Sequence, residues 1–220
     1  MTAPQTPGEV WDALVASLLP PESTPMSARR SARLPLRLHP RPTVRHLPAK
    51  VRQIGAIEGA LRQTIRQLAS GEAPWPLLIW GPVGTGKTCA ALCLLDHAGG
   101  DYLTAAELAE KVIAAQQGRL EHDYGHGGDA VTFTPERYWA HLGKQPLIVL
   151  DELGARERVS DHAYESTKRL IDLREGRPLI ALSNLDLALL AERYDDRIAS
   201  RLAAGTVCRL EGEDRRLTRP

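Results

Sequence analysis

Leu77-Leu78-Ile79-Trp80-Gly81-Pro82-Val83-Gly84-Thr85-Gly86-Lys87-Thr88 is the stretch on which the reading of this chain turns. Four apolar residues predict a short buried strand. The next eight fit the pattern G-x-x-x-x-G-K-[ST], which chance produces in about 1% of chains this long. Glycines let the backbone curl until successive N–H groups point into one concavity. A helix predicted from Lys87 to about His97 adds its positive N-terminal end to that concavity. A phosphate group fits such a cup. Lys87 then reaches the β- and γ-phosphates, and the Thr88 hydroxyl binds magnesium.

Working outward, Leu147-Ile148-Val149-Leu150-Asp151-Glu152 places an acidic pair after a wholly apolar strand, 64 residues beyond Lys87. A buried strand delivers such carboxylates to the sheet edge where the phosphate loop sits. Asp151 is expected to orient magnesium, and Glu152 to polarise a water for attack on the γ-phosphate. The apolar run Pro178–Leu182 ends in Ser183-Asn184, where a polar side chain can hold that water or touch the γ-phosphate. A turn-forming asparagine is the plain alternative. Arg193, Arg197 and Arg201 recur every four residues and share one helix face. They read either as a solvated stripe or as a source of positive charge for a neighbouring subunit's γ-phosphate.

The remaining elements alternate. Helices are expected from Val51 to about Leu68, Ala105 to Gln117, Pro135 to Leu142, Ser160 to Arg174, and from Asp186 and Asp196. Strands are expected at Asp101–Leu103, Pro146–Leu150, Pro178–Leu182 and Val207–Leu210, with Gly118–Thr134 a loop. That alternation predicts an α/β fold, a parallel sheet with helices on both faces.

The first fifty residues differ in kind. Nine of the sixteen prolines precede Ala49, so residues 1–50 read as a largely disordered segment and 51–220 as the folded domain. Within that segment Trp11, Leu14, Val15, Leu18 and Leu19 form a short helical stripe that docks on this chain's core or on a partner. Arg29 to Arg52 carries eight basic and no acidic residues. It serves either as a phosphate-following strip or as a solvated linker. The net charge of +1 indicates neither nucleic acid nor membrane. No apolar run approaches the roughly 20 residues of a membrane span, nor does the N-terminus read as a signal peptide. A cytoplasmic protein without membrane contact is expected. Cys89, Cys93 and Cys208 form no metal pattern and read as small buried residues. His122 and His126 lack a clear third ligand and read as surface polar groups.

Together the loop 81–88, Leu150-Asp151-Glu152-Leu153-Gly154, Arg177-Pro178…Ser183-Asn184-Leu185 and Arg197-Ile198-Ala199-Ser200-Arg201-Leu202 resemble the AAA+ ATPases of the helicase-loader and transposition-helper family (DnaC/IstB type). The resemblance spans about Val51 to Arg216 and implies a P-loop AAA+ core without a C-terminal helical lid. It implies that Asn184 is the sensor residue and Arg201 an arginine finger acting in trans. ATP and Mg2+ are the implied ligands. DNA (single-stranded by preference), a replicative helicase or a transposase, and further copies of this chain are the implied partners. Gly212-Glu213-Asp214-Arg215-Arg216 departs from the family's serine-and-arginine tail. Two other functions share the same loop. A small-molecule kinase needs a second substrate pocket, and the Glu152 position suits water activation better than transfer. A nucleotide-gated adaptor with little turnover carries the same motifs.

Overall fold

The computed structural model describes residues 59–122 and 131–214. The Trp11 stripe, the Arg29–Arg52 run, the domain boundary at residue 50 and the His126 position all lie outside them. Helix α1 (Gly59–Ser70) turns Leu61, Ile65 and Leu68 inward. It is followed by β1 (Leu77–Trp80), α2 (Lys87–Ala98), β2 (Gly100–Thr104) and α3 (Ala105–Gln116). A Thr104–Glu107 capping box starts α3 by satisfying two backbone N–H groups reciprocally. Next come the two-residue strands β3 (Glu121–His122) and β4 (Val131–Thr132), α4 (Pro135–Lys144), β5 (Leu147–Leu153) and α5 (Asp161–Leu173). The chain ends in β6 (Leu179–Ser183), α6 (Leu187–Arg193), α7 (Asp196–Ala203) and β7 (Thr206–Arg209).

Five strands form one parallel sheet in the order β2-β5-β6-β1-β7. Alternation along each strand divides the core into two layers. Leu77, Ile79, Leu147, Val149, Ile180 and Leu182 pack with α1 and α2 on one face. Leu78, Ile148, Leu150, Leu179 and Ala181 pack with α3 to α7 on the other. With helices covering both faces, the inner strands β1, β5 and β6 are buried on both sides, which is why they read as apolar runs, whereas the edge strands β2 and β7 carry polar residues.

Two sequence expectations require correction. Part of the expected loop Gly118–Thr134 is an antiparallel ribbon, with Glu121 opposite Thr132 and His122 opposite Val131. Two-residue strands carry too little periodicity to be read from sequence. Strand β5 does not stop at Leu150 but runs on through Asp151, Glu152 and Leu153, with a bulge against β6 between Leu150 and Leu153.

Candidate phosphate-binding site

The chain leaves β1, crosses β6 and β5 to the sheet edge at β2, and returns inward through β5 and β6. It then passes β1 to finish at the other edge in β7. β1 is therefore a switch point, and the crevice beyond its C-terminal end is where such sheets take ligands. The C-terminal ends of β1, β5 and β6 lie there, bringing Gly81–Thr88, Asp151–Glu152 and Asn184 to one edge.

The loop after β1 is shaped by its glycines. Gly84 and Gly86 have φ of 81° and 92°, conformations costly to any residue with a Cβ. Gly86 is the N-cap of α2 and offers no side chain to its first turn, so the leading N–H groups of the helix have no side-chain cap. Uncapped N–H groups and the helix dipole together favour an anion. Lys87 is buried, and its Nζ donates to the carbonyls of Gly81 at 2.7 Å and Pro82 at 2.6 Å. The ammonium thus lies inside the curl of its own loop. Thr85 Oγ1 closes the loop further by donating to Pro82 O. Pro82 is exposed, and so is Val83 at 51%.

Asp151 is 8% exposed and its carboxylate gathers three donors. Thr88 Oγ1 and Tyr102 Oη each donate to Oδ2 at 2.8 Å, and the Glu152 N–H donates to Oδ1 at 2.6 Å. Burial first, and then the bond to Asp151, push the Tyr102 phenol well above its ordinary range, so Tyr102 stays a donor at neutral pH. Thr88 and Asp151 offer a hydroxyl and a carboxylate side by side. These are hard oxygen donors of the kind magnesium takes while keeping several waters. The residues present fit that ion.

Glu152 is a non-glycine residue with φ of 58° at the β5 bulge. Holding a side chain there costs about 1–3 kcal/mol, and such strain clusters at functional sites. The bulge turns Glu152 out of the packed sheet to line a cavity of about 100 Å³ with Ala105, Ala106, Arg156, Arg158 and Ser160. Asn184 follows the last residue of β6 and is exposed. Ser183 fixes its turn by donating to Leu153 O at 2.7 Å and accepting from Leu185 N at 2.9 Å. The Gly81 N–H donates to Ser183 O, tying β6 to the phosphate loop.

The three arginines do not share one helix: Arg193 ends α6, whereas Arg197 and Arg201 stand one turn apart on α7. Arg193 Nη1 donates to Arg156 O at 3.1 Å, and Arg197 is exposed. Arg201 pairs with Asp172 at 2.7 Å and with Glu175 at 3.5 Å. Those two acids lie just before β6 begins, so Arg201 sits toward the edge where the strands start, away from its own phosphate loop.

Sequence reasoning missed Tyr102, the Ser183 lock and the acidic partners of Arg201. Tyr102 left one faint signal, a hydroxyl-bearing aromatic in an otherwise unremarkable strand. None of the three cysteines forms a disulfide. Cys93 and Cys208 are buried and Cys89 is half-buried. Burial pushes the Cys93 thiol up to about 12, which leaves it protonated and inert at neutral pH. No helix among the described residues is long and apolar enough to cross a membrane.

No protein-family model matches the chain. Among curated proteins, the replication factor C large subunit of Archaeoglobus fulgidus is 32% identical over 115 residues, which is 50% of this chain and 22% of that protein. AMPPCP-bound DnaA from Aquifex aeolicus is 18% identical with a TM-score of 0.52, covering 71% of this chain and 49% of the DnaA chain. A DNA replication initiation factor has a TM-score of 0.53 at 18% identity, covering 74% of this chain and 49% of its own. DnaI has a TM-score of 0.50 at 20% identity, covering 77% and 94%. The chain thus spans about a fifth of the curated relative and about half of the first replication-initiator structures. What these similarities establish is architecture: a five-stranded parallel sheet with flanking helices, the core of a P-loop AAA+ domain.

Proposed function

We propose that this chain binds ATP with magnesium in the loop 81–88 and hydrolyses it as a DNA-associated replication protein of the helicase-loader type. One observation carries the reading. At the switch point of the sheet, an anion-shaped loop lies beside the Thr88–Asp151 pair, which sits next to a strained, outward-turned glutamate. The relatives by sequence and fold, a replication factor C subunit and AMPPCP-bound DnaA among them, support nucleotide binding and a replication setting.

In this reading the loop N–H groups and the α2 dipole hold the phosphates. Lys87 exchanges its bonds to Gly81 O and Pro82 O for phosphate oxygens. Thr88 and Asp151 hold magnesium, which when bound neutralises charge on the phosphate oxygens. Glu152 accepts a proton from the attacking water, and Asn184 orients that water. Arg201 completes the site of a neighbouring copy, because its place at the other edge of the sheet keeps it from its own. Arg156 and Arg158 are exposed beside the Glu152 cavity and suit a phosphate backbone.

The test is ATP hydrolysis across a range of protein concentrations, with and without single-stranded DNA. A specific rate that rises with both supports the reading; no detectable turnover under any condition overturns it. A second reading, a nucleotide-gated adaptor that turns over little, is favoured by the Asp172 and Glu175 pairs that occupy Arg201. Tight ATP binding with a flat, negligible rate selects it.

A further inference from the structure

Tyr102 lies on β2, a different strand from Asp151, and nothing in the loop motif refers to it. In the β2–β5 register Tyr102 stands beside Val149, two residues before Asp151. Alternation puts Val149 and Asp151 on the same face of the sheet. Val149 and the Tyr102 ring both belong to the layer covered by α1 and α2. A tyrosine anchored beside Val149 is long enough to reach a neighbour two positions along the next strand. Its hydroxyl arrives at Asp151 Oδ2 at 2.8 Å.

That oxygen is shared. Thr88 Oγ1 donates to the same Oδ2, also at 2.8 Å, while Glu152 N–H holds Oδ1. Two of the three donors have other work in the proposed cycle: Thr88 is to turn toward a metal, and Glu152 sits on a strained bulge beside the reacting water. The remaining donor, Tyr102, is packed against the core layer beneath α1 and α2 and lies outside the loop 81–88. Asp151 with one hydroxyl partner lost still has a fixed one.

We propose that Tyr102 is a positioning residue for the magnesium site, holding the Asp151 carboxylate in the orientation that meets the ion while Thr88 leaves it. The inference rests on the nucleotide-and-magnesium reading of the same site and adds to it a residue from outside the motifs. Tyr102 does not touch the phosphates. Its removal therefore lowers the benefit of magnesium and leaves metal-free nucleotide binding as it was. Partners that orient metal ligands in this way are worth about 10-fold or more in metal affinity.

The experiment uses the full chain and a fluorescent ADP. Its affinity is measured in EDTA and then across a magnesium titration, for the natural protein and for Tyr102→Phe, which keeps the ring and loses only the hydroxyl. The expected result is an unchanged affinity in EDTA and a magnesium midpoint raised about 10-fold. Asp151→Asn and the double variant close a cycle. If Tyr102 acts through Asp151, its removal shifts nothing further once Asp151 is gone. An equal magnesium midpoint for the natural protein and Tyr102→Phe overturns the inference alone. An affinity lost already in EDTA also overturns it, because it assigns Tyr102 to the general fold or the phosphate cup. A natural protein whose nucleotide affinity ignores magnesium altogether overturns both the site reading and this extension of it.

Discussion

Thr88 Oγ1 donates to Asp151 Oδ2 at 2.8 Å across 63 positions of sequence, joining the first turn of α2 to the far end of β5. The bond sets a hydroxyl and a carboxylate side by side, the two oxygen donors proposed for magnesium. Replacing Thr88 by Ala removes one donor and leaves the loop backbone intact. Nucleotide affinity in EDTA is then expected to hold, while the magnesium-dependent gain falls about 10- to 100-fold, read by fluorescence titration.

Glu152→Gln keeps size and hydrogen bonding while removing the proposed base. Hydrolysis is expected to fall about 10²- to 10⁴-fold with ATP binding preserved. Steady-state rates beside equilibrium binding of the same preparation check this. Loss of binding instead would assign Glu152 to the shape of the bulge.

Arg201→Ala is expected to cut hydrolysis about 10³-fold if the residue serves a neighbour's site. Mixing Arg201→Ala with Glu152→Gln is the decisive arrangement. An Arg201→Ala copy keeps a working phosphate loop and can receive Arg201 from a Glu152→Gln copy, so the mixture regains activity that neither variant has alone. No recovery on mixing leaves Arg201 a partner of Asp172 and Glu175 and nothing more.

Arg174 is a structural counterpart at the opposite edge. It is 2% exposed, and its guanidinium donates to Gln145 O at 2.8 Å and Pro178 O at 2.6 Å, with longer bonds to Leu142, Gly143 and Pro146. It thereby satisfies carbonyls at the end of α4 and just before β5 and β6. Arg174→Met strands those acceptors, and a loss of about 2–4 kcal/mol is expected in urea unfolding. Burial, with Arg177 nearby, pushes the guanidinium down from 12.5 to about 10. The folded state therefore binds this proton less tightly than the unfolded one. That penalty is fully present below pH 10 and is relieved only as pH rises from there toward 12.5. No slope in stability from Arg174 is expected between pH 6 and 9.

Gly84→Ala meets two obstacles. A Cβ there would lie 1.9 Å from Asp214 Oδ1 and 2.8 Å from Asp214 Cα, and the backbone φ of 81° disfavours any side chain. The conformational part alone costs about 1–2 kcal/mol. A lowered melting temperature is expected. Adding Asp214→Ala relieves only part of it, since the backbone term persists.

The curl of the loop 81–88 was legible because its signal is contiguous: eight residues with glycines at the positions of positive φ, framed by an apolar strand and a helix. The sheet was legible for a related reason. Strands buried on both faces must be apolar throughout, and β1, β5 and β6 each read that way. The pairing of β3 with β4 escaped because two-residue strands have no period to detect. The extension of β5 escaped because Asp151 and Glu152 look like the end of a strand, whereas Asp151 pairs with Thr104 of β2 and Leu153 resumes the pairing with β6 after the bulge.

By itself the sequence determined what the local backbone can do: curl at Gly81–Thr88, bury the strands, and offer carboxylates after Leu150. Tertiary structure alone decided which distant side chains meet. The strand order sets β2 beside β5, and so Tyr102 reaches Asp151. The packing of α7 against α5 gives Arg201 to Asp172 and Glu175. The reason is one of range. Dihedral preferences and periodicity act within a few residues, whereas a hydrogen bond between strands or helices exists only after the core has fixed their separation to within an ångström.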